Sequence, residues 1–227
     1  MTITPLGDQA AIVYFADEST AVAFAATVRA SNPAWLFDVV PAYASVGVFF
    51  DADQIQLPVV VEWLKTTAKT MPRHAVATPS RRFVIPVCYE RQLDSAHVAE
   101  VTGLTSEQII TLHITTEFTV YAIGFVPGFP YLGYLPGPLC GVPRLATPRL
   151  RVEPGSVGLT GKQTAIYPLP RPGGWNIIGR TPLAIVDVAD GYFPLRVGDH
   201  VQLQRIDEAE YTRQQGERLL VPANHPT

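Results

Sequence analysis

From Phe118 onward the chain shows no helical periodicity. Short runs rich in β-formers, residues 118–123, 156–160, 164–167, 175–178, 183–188 and 200–206, alternate instead with turns of Gly and Pro. Strands this short, returning this often, predict a closed or nearly closed β-barrel.

The residues before the barrel read differently. Residues 9–15 predict a strand. Ser19 or Thr20 is placed to cap a helix whose apolar positions Ala21, Val22, Phe24, Ala25 and Val28 share a face, and Pro33 stops it. Residues 35–40 and 45–50, parted by Pro41, predict a hairpin. A second helix over 54–69 carries Ile55, Val59, Trp63 and Leu64 at helical spacing. This βαββα pattern predicts a small α/β domain over residues 1–70. The segment 71–82, polar, proline-bearing and without period, reads as a linker, and residues 83–210 form the barrel domain. That domain opens with a β-rich run over 82–88 and a short helix over 94–101 closed by Gly103. Thr105 and Gln108 then form a capping box for the helix that carries His113. Residues 211–227 read as a polar tail. The fold class expected is α+β.

Composition narrows the function classes. With 47% hydrophobic and 16% charged residues, the 227-residue chain is globular. No apolar run reaches the roughly 20 residues of a membrane span, and no signal peptide is legible, so the expectation is a cytoplasmic protein. Cys88 and Cys140 lie far apart without a CxxC pair, which suits a reducing compartment. No basic helix or aromatic RNA-binding signature points to nucleic acid. Charge is unevenly spread. Residues 124–182 hold six basic side chains (Arg144, Arg149, Arg151, Lys162, Arg171, Arg180) against Glu153 alone, about +5 in a chain of −3. A small anion is the natural ligand for that segment.

Standard motifs are absent. GSVGLTGKQT places five residues between Gly155 and Gly161 and puts Gln163 where a phosphate loop needs a hydroxyl, so it reads as a β-turn between strands. Ser156 follows Gly155 directly, which misses the nucleophile elbow. His74, His97, His113, His200 and His225 show no metal-ligand spacing, and no metal site is expected. His113 and Glu117, four residues apart, would share a helix face, as a surface ion pair or as a carboxylate orienting an imidazole. Phe125, Phe129 and Tyr131, with a turn at Pro127, Gly128 and Pro130, form either an aromatic wall whose backbone amides approach a ligand or a core plug. Arg144, Arg149 and Arg180 sit beside prolines or turns, where a guanidinium can clamp a carboxylate or phosphate. Gly173, Gly174 and Trp175 read as a tight hairpin with a packed indole.

Taken in order, GFVPGFPYLGYLP, PRLATPR, PGSVGLTGKQTAIYP, PGGWNIIGRTP and VGDHVQL, preceded by Leu112–His113, resemble the allophanate hydrolase subunit 1 family over about residues 83–206. That family takes in KipI and the B subunits of 5-oxoprolinase, and the pattern is nearest to the latter group. One departure is Tyr134, where family members often carry Gly or Ser after PYLG. The resemblance implies a cyclophilin-like β-barrel behind the small α/β domain, without prolyl isomerase activity. It further implies a component of a heteromeric hydrolase, inactive alone, that works with separate A and C subunits, the latter allophanate hydrolase subunit 2-like. Such a complex uses ATP and Mg²⁺ to open 5-oxoproline to L-glutamate. On this reading Arg144, Arg149 and Arg180 contact the anion, Phe125, Gly128, Phe129 and Tyr131 wall the pocket, and His113 with Glu117 handles a proton. The same resemblance also leaves room for a KipI-like inhibitor of a sensor histidine kinase and for a urea- or allophanate-processing component.

Overall fold

The computed structural model describes residues 1–71 and 81–222. Residues 72–80, most of the expected linker, and residues 223–227 of the expected tail lie outside the described residues. The chain divides into two compact units, Met1–Pro79 and Ser80–Thr227.

The first unit is a four-stranded antiparallel sheet with two helices. Its strands are β1 (Thr2–Pro5), β2 (Ala10–Tyr14), β3 (Leu36–Ala42) and β4 (Ser45–Phe50), in the order β1-β2-β4-β3. Strand β1, TITP, pairs with β2 and turns the expected βαββα into ββαββα. Helix α1 (Glu18–Ser31) is capped by Asp17, whose carboxylate accepts the Thr20 amide at 2.8 Å, while the Ser19 and Thr20 hydroxyls donate to it. The expected caps therefore serve the true cap. The expected hairpin forms, but Pro41 does not part its two strands. It lies within β3, opposite Val46, on the edge of the sheet, where a missing N–H is tolerated. Helix α2 (Leu57–Thr70) buries Val60, Leu64 and Thr67, whereas Val59 is exposed; Pro58 in the first turn starts the helix later than its apolar pattern suggests. Both helices close a core of Val13, Phe24, Val28, Val48, Phe50 and Leu64.

The second unit is built on a closed seven-stranded barrel. Its strands are β5 (Arg82–Cys88), β6 (Glu117–Ile123), β7 (Pro130–Gly133), β9 (Ser156–Thr160), β10 (Gln163–Ile166), β12 (Asn176–Arg180) and β13 (His200–Ile206). Around the wall the order is β10-β7-β6-β13-β5-β12-β9. Only β5 and β13 run parallel, in register from Arg82↔His200 to Cys88↔Ile206. Helices α3 (Ser95–Thr102) and α4 (Ser106–Thr115) join the barrel core through Val98 and Ile109. Gly103 ends α3 at φ 71°, and Thr105 and Gln108 form the full capping box of α4. GSVGLTGKQT is the β9–β10 hairpin.

A second, smaller cluster lies on the other face of the same wall. Along β10, Thr164 and Ile166 face the main core, and Ala165 faces Phe129, Tyr167, Trp175 and Ile177. A two-stranded ribbon of β8 (Arg149–Val152) and β11 (Arg171–Gly173) adds Val152 to this cluster. Gly173 and Gly174 therefore connect ribbon to barrel and do not close a hairpin. Residues 183–188 form no strand and make only isolated bridges. Residues 211–222 of the expected polar tail are ordered against the barrel unit. Helix α5 (Glu208–Gln214) buries Tyr211, and Leu219, 3% exposed, donates its N–H to the Ala184 carbonyl at 3.1 Å, while the Ala184 N–H donates to the Glu217 carbonyl at 2.8 Å.

Candidate functional site

Phe129 is the centre of the smaller cluster. Its ring meets Tyr131, Tyr167, Phe125 and Trp175 edge-on at centroid distances of 4.9, 5.2, 5.4 and 5.8 Å, the arrangement that aromatic quadrupoles favour. Phe129 and Trp175 are buried, Tyr131 is half-buried, and Phe125 is 61% exposed. The loop that carries them is tightly wound. Val126 N–H donates to Gly124 carbonyl at 2.7 Å across Phe125, whose φ is 67°, a γ-turn of the rarer positive-φ kind. Farther along the loop, a Cβ at Gly128 would lie 2.2 Å from Val186 Cγ2. Gly128 thus lets the loop lie flat on residues 186–193, and this packing accounts for the glycine without a ligand.

Charge enters from two arginines. Arg144 is exposed and acts on both phenols: burial pushes Tyr131 and Tyr167 up from the usual tyrosine value, and the nearby Arg144 charge partly opposes this. Arg149 opens strand β8, opposite Gly173. Its Nη2 donates to Asp94 Oδ1 at 2.6 Å, and Asp94 Oδ2 accepts the Ile177 amide at 2.7 Å. Arg149 Nη1 is buried and has no acceptor among protein atoms. Arg144, Arg149, Tyr131, Tyr167 and Trp175 therefore form one aromatic and cationic cluster, in which Asp94 holds Arg149. Composition does not single out Asp94. Its one signal in the sequence is its position at the start of a helix, which also reads as a simple cap.

One expected arginine lies elsewhere. Arg180 sits at the far end of β12, roughly 16 Å along the strand from Trp175, with Nε donating to the Pro154 carbonyl at 2.9 Å. Among the described residues, no three His, Cys, Asp or Glu side chains converge as metal ligands.

A protein-family model described as carboxyltransferase domain, subdomain C and D, matches residues 1–192. The chain belongs to this family. Among its relatives, the 5-oxoprolinase B subunit of Bacillus subtilis (strain 168) is 34% identical, over 92% of this chain and 94% of that protein. The protein of the same name from Escherichia coli O157:H7 is 49% identical, over 55% of this chain and 58% of its own. The crystal structure of TTHA0988 superposes with a TM-score of 0.75 at 33% identity, covering 88% of this chain. This chain spans 40% of that longer one.

In this member of the carboxyltransferase family the expected His113–Glu117 pair does not form. Helix α4 stops at Thr115 and Thr116 is extended, so Glu117 begins β6 and turns to Arg82 at 2.6 Å, with His200 Nδ1 at 3.6 Å. His113 is fully buried inside the barrel domain. Thr164 has a single hydroxyl proton, which it gives to the Gly158 carbonyl at 3.0 Å; its oxygen therefore receives His113 Nε2–H at 2.9 Å. That tautomer leaves Nδ1 to accept the Tyr89 hydroxyl at 2.8 Å. Burial lowers the His113 pKa to about 3 and raises that of Tyr89. The histidine is a neutral pin joining α4, β9, β10 and the end of β5, with both nitrogens occupied.

Proposed function

We propose that this chain is the B subunit of an ATP-dependent 5-oxoprolinase and acts with separate A and C subunits to open 5-oxoproline to L-glutamate. The end-to-end similarity to a 5-oxoprolinase B subunit carries this reading. The site supports it chemically. The substrate is a small, compact ring with one carboxylate, and the cluster offers a matching pair of surfaces: aromatic edges for the ring and arginines for the acid.

A lactam amide is a poor electrophile, so its opening is coupled to ATP: transfer of the γ-phosphoryl group to the amide oxygen releases ADP and makes the carbon electrophilic. Water adds there, the ring C–N bond breaks as the nitrogen takes a proton, and a second water releases phosphate from the resulting acyl phosphate to leave glutamate. This chain contributes positioning and exclusion of water. Arg144 and Arg149 hold the carboxylate, and the edge-packed rings around Phe129 keep the lactam away from solvent. Neither His113, whose nitrogens are both engaged, nor Glu117, paired with Arg82, takes part as a proton carrier. No residue of this chain is assigned to the ATP phosphates or to Mg²⁺.

The test is glutamate release from 5-oxoproline with Mg·ATP, using this chain alone, with the C subunit, and with the A and C subunits together. Turnover in the full mixture alone is expected. If partners that work with the Bacillus subtilis B subunit give none with this chain, the reading is wrong.

A further inference from the structure

We infer that Asp94 is the positioning residue of this site, fixing Arg149 so that it receives a singly charged carboxylate and not a polyphosphate. The inference rests on the 5-oxoprolinase reading for the identity of the acid, and on the geometry around Asp94 for everything else.

Asp94 is 7% exposed and both its oxygens are used, one by Arg149 Nη2 and the other by the Ile177 amide. Its own N–H and that of Leu93 donate to the Ile177 carbonyl, each at 2.9 Å. The residue is thus tied to one residue of β12 by donor and acceptor alike, which leaves the carboxylate no freedom to turn. Arg149 inherits that rigidity. Its backbone is set by pairing with Gly173, its Nη2 is held by Asp94, and the planar guanidinium then fixes where Nη1 lies. Nη1 is buried and lacks a protein acceptor. An orphaned cationic donor with a fixed direction is an unusual feature of a resting protein, and a carboxylate oxygen is the acceptor that suits it.

The charge balance selects among anions. Asp94 cancels Arg149, and Arg144 has no carboxylate within ion-pair distance among the described residues. The trio therefore carries a single positive charge, which matches one carboxylate. A triphosphate would remain largely uncompensated. Its phosphates belong at a different place in the complex.

The experiment uses the complete complex of A, B and C subunits. Asp94→Asn keeps an acceptor for the Ile177 amide but removes the charge that holds Arg149. KM for 5-oxoproline should rise by about tenfold or more, with kcat within about threefold and KM for ATP within about twofold. Asp94→Asn combined with Arg149→Met should be no worse than Arg149→Met alone, because both changes remove one device. A parallel rise in KM for ATP, an unchanged KM for 5-oxoproline, or additive effects would each overturn the inference. If Asp94→Asn fails to fold, Arg144→Gln must show the same split between the two KM values or the inference fails.

A separate measurement on the chain alone distinguishes this idea from the enzymatic reading. Titration with 5-oxoproline should shift the Trp175 indole and Arg149 side-chain N–H signals saturably, whereas 2-pyrrolidinone, the same lactam without its carboxylate, should not. Those shifts, together with no turnover when the A and C subunits are added, would keep the carboxylate receptor and discard the enzyme assignment. Equal responses to both lactams, or none to either, would discard the receptor.

Discussion

Gly173 illustrates how a single missing Cβ shapes the cluster. A Cβ there would lie 2.4 Å from the Tyr167 hydroxyl and 2.9 Å from its ring carbon. The Tyr167 ring is buried and packs edge-on against Phe129 at 5.2 Å, so it cannot withdraw without disturbing that contact. Gly173→Ala is expected to destabilise the barrel unit by about 1–3 kcal/mol through overpacking, seen as a fall of several degrees in its thermal midpoint. An unchanged midpoint would show that Tyr167 moves freely. His113 supports a second prediction at this scale. Its folded pKa, about 3, lies below the usual 6.5, so the unfolded chain takes up a proton first as pH falls. The stability linked to neutral His113 is complete above about pH 6.5 and is lost as pH drops toward 3. Between pH 7 and 5 the wild type should lose about 2 kcal/mol more than His113→Gln does, by denaturant titration at each pH. Parallel curves would mean that His113 is not buried neutral. The placement of His113 could not be read from sequence, because the helical spacing to Glu117 holds only if the helix continues, and it stops at Thr115.

Strands with a strong local signal were legible almost to the residue. Residues 82–88, 156–160 and 200–206 alternate or run apolar between clear turns, and each is a barrel strand with those limits. The capping box of α4 is equally local and equally clear. The strands β1, β7, β8 and β11 were not legible. TITP, PYLG, RLRV and RPG are too short for periodicity, and three of them contain the proline or glycine that normally marks a turn. Their pairing partners, and not their own residues, decide them. The candidate site shares this limit: its aromatic and arginine members stand out in sequence, but Asp94, distant in the chain, becomes visible only once α3 lies beside β12. The C-terminal segment has the same character. Leu219 is buried, its N–H donates to the Ala184 carbonyl at 3.1 Å, and its carbonyl takes the Tyr192 hydroxyl, while Arg218 pairs with Asp187 and Asp190. Leu219→Ala should cost about 2–4 kcal/mol by leaving a cavity under this segment. Hydrogen exchange should quicken first at residues 184–192; uniform quickening over the whole barrel would show that the segment is not a separate clasp.

At the scale of the whole molecule the distribution of charge matters more than its sum. The chain is formally −3, yet residues 124–182 carry about +5, so a small anion meets an attractive field only on approach to that region. The structure sharpens the contrast. Arg149 and Arg151 are neutralised by Asp94 and Glu153, whereas among the described residues Arg144, Lys162 and Arg171 lie within ion-pair distance of no carboxylate. Contact and steering are therefore carried by different residues. Arg144 and Arg149 touch the bound acid in the proposed site, and exposed Lys162 and Arg171 add to the field around it. Salt separates the two roles, because screening shortens the reach of the field from beyond about 10 Å below 0.1 M to a few ångströms near 0.5 M, and leaves a desolvated contact largely intact. In the assembled enzyme at saturating Mg·ATP, kcat/KM for 5-oxoproline should fall several-fold between about 0.05 and 0.5 M KCl. The double variant Lys162→Gln, Arg171→Gln should start lower and fall less, meeting the wild-type curve at high salt. Curves that stay apart at high salt would mean that one of these two side chains contacts the substrate directly, and coincident curves at low salt would mean that the field comes from elsewhere in the complex.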